Sequence, residues 1–285
     1  MEMKKGLQII GLLFILLLAA CGNKDGDVKV VKIGVTGTDG DQWNVLEELA
    51  KEEGIEIELV EFSDYTLPNN ALANGDIDLN SFQHIAFLSQ FAKENKLDIV
   101  PLGSTVMAPL GIYSEKIEDI SELKEGDQVA VPDDPSNLGR SLRLLETAGL
   151  ITLKEDTGLF GDTTAIKENP KNLDIIPMVA QQTPRVLEDV AVSLINNGIA
   201  GQAGFDPAKD PIYLEDGHDE NALPYVNVFA SRAEDADNET YLKIVELYQS
   251  EAVSKAIEEE TKGGSLLIDV SNEQLMKTFE ELKGE

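Results

Sequence analysis

Apolar and polar positions along this chain switch repeatedly between a strand period and a helix period. The run VKVVKIGV at 28–35, bounded by Gly34 and Gly37, has the β-branched profile of a buried strand. From Trp43 onward Leu46, Leu49 and Ala50 recur at helical spacing, Gly54 closes that helix, and 55–60 is strand-like again, so the chain opens with a βαβ unit. A short helix is expected over 69–74, stopped by Gly75 in a left-handed cap. Asp76, Ile77, Asp78 and Leu79 then alternate as a short strand would, and Asn80 and Ser81 offer side-chain oxygens to cap a helix starting at Phe82 and continuing over 85–95. A strand at 97–101 and a longer one through GSTVMAPLGIYS follow, with Pro109 marking a bend or an edge.

A second set of alternating elements comes next. It holds a short helix at 120–123, a strand at 128–131, and a helix striped by Leu138, Leu142, Leu145 and Ala148 behind Ser136 and Asn137 as caps. A strand around Ile175, a helix from Pro184 with Val186, Leu187 and Val190 apolar, and a strand at 192–195 complete it. PYVNVFA at 224–230, acidic amphipathic helices at 239–249 and 250–261, a short strand in GGSLLI and a final helix end the chain. Helices and strands in alternation predict an α/β protein built as two units.

Charge and the first residues narrow the class. Lys and Arg number 23 against 53 Asp and Glu, a formal net charge of -30, which repels nucleic acid; the acidity is that of a solvated surface. Lys4 and Lys5 precede an apolar run over 7–20 that is short for a membrane span and matches a secretory signal. Leu18-Ala19-Ala20-Cys21 resembles the lipobox of bacterial lipoproteins, in which the cysteine is lipidated, and Cys21 is the single cysteine, so no internal disulfide forms. Two acyl chains, at about 0.8 kcal/mol per buried methylene, suffice for stable anchoring. The segment 22–27 reads as a polar tether.

Candidate chemistry gathers in EFSDYTLPNNALANGDIDLNSFQHIAFL, residues 61–88. With a strand-to-helix corner near Phe82, that ring and His84 sit where open α/β sheets bind ligands, with Tyr65 reachable from the preceding loop and Phe87 further along. The competing reading makes Phe82 and Phe87 core and His84 a cap, because buried aromatics are usually core. Trp43 has the same two readings. The Gly-rich turn TGTDGDQW lacks dinucleotide and P-loop patterns and reads as amides facing a cleft, with Asp39 or Asp41 near the helix start. Arg140 is expected in the first turn of its helix, where the dipole opposes a cation by on the order of a few tenths of a kcal/mol unless an anion engages it. A guanidinium beside helix amides suits a carboxylate, and Arg143 is the competitor for that role.

DYTLPNNALANGDIDLNSFQHIAFL resembles the signature DYxxPNxALxxGDIDANxFQHxxYL of methionine-binding lipoproteins of ABC importers, the MetQ/NlpA type. Leu79 stands where that family has a small residue and Phe87 where it often has tyrosine. DDPSNLGR is similar to the family's NDPxNxGR with Asp133 replacing asparagine, and the resemblance makes Arg140 the carboxylate clamp. It also implies ligand contacts from Asn196 and Asn227, although Asn197, Gly198 and Ile199 depart from the usual continuation.

The implied fold is a two-lobed periplasmic-binding-protein-like α/β fold with two crossing strands and a hinge near Leu110. The expected division is 1–20 signal peptide, 21–27 lipidated tether, 28–110 plus about 226–285 lobe 1 and 111–225 lobe 2, with the C-terminal helices packing on either lobe. The implied function is a binding protein anchored on the extracytoplasmic face through lipid on Cys21, holding L-methionine at Tyr65, Phe82, His84, Phe87, Arg140, Asn196 and Asn227. Permease and ATPase subunits of an ABC importer are the implied partners. A methionine-containing dipeptide, another apolar amino acid, or a surface adhesin without a small ligand remain alternatives. Catalysis is not expected: the two histidines, His84 and His218, are far apart, no metal-ligand spacing occurs, no cofactor is called for, and His218 lies in a polar loop.

Overall fold

The computed structural model describes residues 28–38, 40–218 and 220–284. The expected signal segment and tether, with Cys21, and Asp39 lie outside the described residues. Lys29–Val35 (β1), Asp41–Glu52 (α1) and Ile55–Glu61 (β2) form the βαβ unit, its strands parallel from Lys29↔Ile55 to Val35↔Glu61. Leu67–Asn74 (α2) ends at Gly75, whose φ of 78° is the left-handed cap that favours glycine. Leu79–His84 (β3) then lies beside β1, followed by Ile85–Asn95 (α3) and Ile99–Met107 (β4).

Three local expectations are corrected here. Residues 76–78 form a bend, and the strand starts at Leu79. Asn80 and Ser81 do not cap a helix at Phe82: the chain stays extended to His84, because Asn80 is drawn into a buried amide cluster and the backbone pairs with the returning strand at 226–232 as far as His84, while β1 pairs only at Leu79 and Asn80. The strands expected at 97–101 and through 103–114 are divided elsewhere: 99–107 is one nine-residue strand that tolerates Pro101, since the outer neighbour of β4 pairs only at Val106 and Met107 and leaves no ladder donor missing at 101, and 111–113 is a separate short strand. The break comes at Ala108 to Leu110, around Pro109.

Beyond that break Gly111–Tyr113 (β5), Gln128–Pro132 (β6), Pro135–Thr147 (α4), a small pair of strands Thr152–Leu153 (β7) and Ile166–Glu168 (β8), Asp174–Met178 (β9), Val192–Ile195 (β10), Asn197–Gln202 (α5) and Tyr213–Leu214 (β11) follow. The chain then returns through Val226–Arg232 (β12), Glu239–Tyr248 (α6), Glu251–Thr261 (α7), Leu266–Leu267 (β13) and Asn272–Gly284 (α8). Sheet order is β13-β4-β12-β3-β1-β2 in the first sheet and β11-β5-β10-β6-β9 in the second. The chain therefore crosses between sheets twice, over 108–110 and over 215–225.

Each sheet has its own core. In the first, Val31, Ile33, Leu46 and Phe229 cluster with Tyr241, Ile244, Val253 and Ile257 of α6 and α7, while Leu275 and Phe279 of α8 join Ile85 and Leu88 of α3. The C-terminal helices thus cover the first sheet. In the second, Ile112, Val129, Val131, Leu142, Leu145 and Leu194 form the core.

No α-helix starts at Pro184. Residues Ala180–Val186 form a 3-10 turn with Pro184 inside it, tightened by the Thr183 hydroxyl donating to the Ala180 carbonyl oxygen, and the six residues from Val186 to Ala191 leave no room for a longer helix before β10. Nor do Ser136 and Asn137 cap α4: Asp134 does, accepting the Asn137 amide at 3.0 Å, with Pro135 as first helical residue.

Helix α4 is also pinned from outside. Arg143 Nη2 donates to the Thr157 and Gly158 carbonyl oxygens at 2.9 and 2.7 Å, which lays the 157–161 loop against the helix at Gly139. A Gly-to-Ala change inside a helix ordinarily stabilises by about 1 kcal/mol. At Gly139 a Cβ would collide with the Leu159 carbonyl oxygen, so the sign inverts. Gly139→Ala is expected to lower stability by about 1–3 kcal/mol in urea unfolding, whereas a gain would mean that the loop moves aside freely.

Candidate functional site

Between the sheets lies a cleft of about 620 Å³, lined from both sides. That volume is in the range of small-ligand sites, about 300–1,000 Å³. Tyr65, Phe82, His84, Phe87, Arg140, Asn196 and Asn227 all line it, as does Trp43. Positions separated by up to 184 residues in sequence are brought to one surface.

Its apolar end is built at the β3–α3 corner. Tyr65, Phe82 and Phe87 form a triangle with all three centroid separations at 5.9 Å, and Phe91 stacks behind Phe87 at 5.8 Å. Edge-to-face and tilted contacts of this kind contribute about 0.5–1.5 kcal/mol each beyond burial. Below the corner, Asn69 of α2 exchanges amide hydrogen bonds with Gln83 at 2.7 and 2.6 Å and accepts one from Asn80 at 2.9 Å, all three side chains being buried. This closed amide cluster fixes the corner without exposing an unpaired donor. Burial also pushes the Tyr65 phenol well above the ordinary tyrosine range, so the ring is neutral. Trp43 meets both sequence readings: it is 6% exposed, packs against Phe229 and Tyr248, and still reaches the cleft wall.

His84 joins the apolar end to a polar one. Its Nδ1 accepts the Phe87 amide at 3.1 Å, capping α3, while Nε2 lies 3.2 Å from Asn137 Oδ1. Asn137 Nδ2 donates to Asp134 Oδ2 at 2.8 Å, so its Oδ1 is turned to the cleft and accepts both from His84 and from Asn196 Nδ2 at 2.8 Å. An ionised carboxylate only accepts, and this fixes every donor along the chain Asp134, Asn137, His84. His84 is therefore the neutral tautomer protonated on Nε2. Burial, aided by the Arg140 charge and opposed by the Asn137 hydrogen bond, lowers its pKa to about 3. Burial likewise raises the Asp134 carboxyl above the ordinary range against its three hydrogen bonds.

Arg140 departs from expectation in two respects. It is the sixth residue of α4, in the second turn, where the dipole penalty fades. Its guanidinium is not free either: Nε donates to both Glu215 carboxylate oxygens at 3.0 and 3.1 Å, and Nη2 donates to Glu215 Oε2 and to the Ala108 carbonyl oxygen at 3.0 Å. Tyr225 covers its face at 4.5 Å. Among the described residues Nη1 has no hydrogen-bond partner, and Asn196 Oδ1 is a buried acceptor without one. Arg143 is committed to the 157–158 carbonyls, and Asn227 faces the cleft at the β12 position opposite His84. His218 is exposed in its loop.

Sequence reasoning missed Glu215, Tyr225 and the hub role of Asn137. The Asp-Pro pair at 134–135 was an available sign of the helix start. For Glu215, 75 positions from Arg140, no local sign exists. Among the described residues no group of three or more metal-binding side chains occurs, and no helix is long and apolar enough to cross a membrane.

Two α/β lobes joined by two crossings, with a polar and aromatic cleft between them, define a substrate-binding protein of the periplasmic-binding-protein fold. The NlpA lipoprotein family model matches residues 31–268, and the chain belongs to that family. D-methionine-binding lipoprotein MetQ of Salmonella typhimurium is 45% identical over 255 residues, 88% of this chain and 93% of the relative. Protein PG110 from Staphylococcus aureus superposes with a TM-score of 0.86 at 48% identity, covering 88% of this chain and 99% of that one. A nutrient-binding protein from Burkholderia cenocepacia, solved bound to methionine, gives a TM-score of 0.77 at 41% identity over 83% of this chain and 99% of its own. The family is one of substrate-binding lipoproteins, not enzymes.

The buried neutral His84 makes stability pH-dependent. Unfolded, the imidazole takes a proton below its ordinary value of 6.5; folded, it does so only near 3. Its contribution is complete above that upper value and is lost as pH falls through the window, at up to about 1.4 kcal/mol per pH unit. The stability difference between the wild-type protein and His84→Gln is expected to shrink from about pH 7.5 to about pH 5 in urea titrations. A constant difference would show that His84 does not carry this dependence.

Proposed function

We propose that this chain is a lipid-anchored, extracytoplasmic binding protein that captures L-methionine between its lobes and delivers it to an ABC importer. The observation that carries the reading is the division of one cleft into a triangle of aromatic rings at one end and, at the other, a guanidinium nitrogen and a buried amide oxygen without partners. An amino acid zwitterion matches that division: its carboxylate meets Arg140, its ammonium meets the Asn196 oxygen with Asn227 beside it, and its side chain enters the ring triangle. A thioether against ring edges gains about 0.3–1.5 kcal/mol per contact, which favours methionine over a branched aliphatic chain. The relatives named as methionine-binding support methionine as the ligand, and several of them are D-methionine-binding lipoproteins. Fixing three substituents of one carbon makes the site chiral, and L is the enantiomer we assign. Cleft volume favours one second reading, a methionine-containing dipeptide, because the lining also includes Gln42, Glu260 and Lys262.

Arg140→Ala is expected to weaken L-methionine binding about 30-fold or more by calorimetry, the loss of one partner in a desolvated ion contact. Glu215 is left uncompensated in that variant, so circular dichroism is read alongside to establish that it folds. Titration with D-methionine and a methionine dipeptide decides between the neighbouring ligands, and tighter binding of either replaces L-methionine in the assignment. An unchanged affinity would remove Arg140 from the site. Absence of any heat or thermal shift with amino acids and peptides would favour an adhesin.

The anchor rests on the signal-like run before Cys21 and on the lipoprotein family match. Cys21→Ser, expressed in a bacterial host, is expected to move the protein from the membrane to the soluble extracytoplasmic fraction. Persistence in the membrane fraction would point to another mode of attachment.

A further inference from the structure

Helix α5 and the turn after it bridge the cleft mouth. Asn197 Nδ2 donates to the Gly264 carbonyl oxygen at 2.8 Å, and Asn197 Oδ1 accepts from the Ser265 hydroxyl at 3.3 Å. Gln202 Nε2 donates to the Thr36 carbonyl oxygen, and Lys262 Nζ pairs with Asp206 Oδ2 at 3.1 Å. In every case one partner follows β10 of the second sheet, and the other follows β1 or precedes β13 of the first. These links join the two lobes directly across the cleft mouth.

We propose that α5 is the closure latch of the cleft and that Asn197 is the positioning residue on which it depends. This rests on the reading that a ligand is held between the lobes. Magnitudes rank the links. Asn197 is 8% exposed and satisfies both ends of its amide across the gap, at about 0.5–1.5 kcal/mol per hydrogen bond. The Lys262 side chain is 59% exposed, and exposed pairs of that kind contribute about 0–1 kcal/mol. Asn197 also follows directly on Asn196, which lines the cleft, so ligand contact and lobe closure fall to neighbouring residues. Affinity then scales with the fraction of molecules whose lobes are closed. Asn197 tunes retention while the ring triangle and Arg140 set what is retained.

The test compares the full-length protein with Asn197→Ala and Lys262→Ala by small-angle X-ray scattering without ligand, and by calorimetry with L-methionine and L-leucine. Asn197→Ala is expected to enlarge the ligand-free radius of gyration and to weaken L-methionine about tenfold, with the methionine-to-leucine preference unchanged. Lys262→Ala is expected to weaken it less than about fivefold. Should Asn197→Ala fail to fold, Asn197→Asp, which keeps the shape and removes the donor to Gly264, gives the same comparison. An unchanged radius overturns the latch, and a changed preference at unchanged radius makes Asn197 a ligand contact. If the wild-type protein binds neither amino acid, the ligand reading fails on its own, and the scattering comparison still decides the latch.

Discussion

A guanidinium removed from water has to be neutralised, and the structure is organised around how Arg140 meets that requirement. Its side chain is 3% exposed, and Glu215 grips it by two nitrogens. Glu215 also accepts the Leu110 amide at 3.0 Å, and its own backbone amide donates to the Leu110 carbonyl oxygen. Leu110 lies in the first crossing between the sheets and Glu215 opens the second, so one ion pair ties both crossings to the helix that fronts the cleft. Replacing such a pair with packed apolar residues often costs nothing, but removing one partner costs about 3–5 kcal/mol. The pair is better understood as a device of geometry than as a source of net stability: it sets where Nη1 is offered.

From that pair the polar end of the cleft follows by donor and acceptor logic. Asp134 caps α4 and turns the Asn137 amide, Asn137 dictates the tautomer of His84, and His84 caps α3. Helix starts from both lobes are thus joined through one asparagine. The same chain leaves the Asn196 oxygen without a partner, the kind of unsatisfied buried acceptor that native proteins keep mainly where a ligand completes it. At the other end the constraint is packing: three rings in mutual contact over a closed amide cluster cannot relax to fill the cleft, so the recess is preformed.

The β3–α3 corner shows how local propensity yields to pairing. Asn80 and Ser81 have the chemistry of helix caps, yet β12 pairs with the chain as far as His84, and extension keeps those backbone groups satisfied where an early helix would break the ladder. Pro184 has the chemistry of a helix start and lies instead inside a tight 3-10 turn, because the neighbouring strand begins too soon.

By itself the sequence determined the α/β alternation, the Gly75 stop, the aromatic run and the residue types that the cleft needs, because periodicity, left-handed glycine and motif spacing act within a few residues of where they are written. All seven residues singled out in advance line one cleft. Tertiary structure alone decided that Arg140 is paired with Glu215, that Asn137 is a hub and not a cap, that the C-terminal helices cover the first sheet and that Asn197 spans the gap. Each of these joins positions tens to hundreds of residues apart, whose meeting depends on where two crossings bring the sheets together, a property of the folded chain that no local stretch encodes.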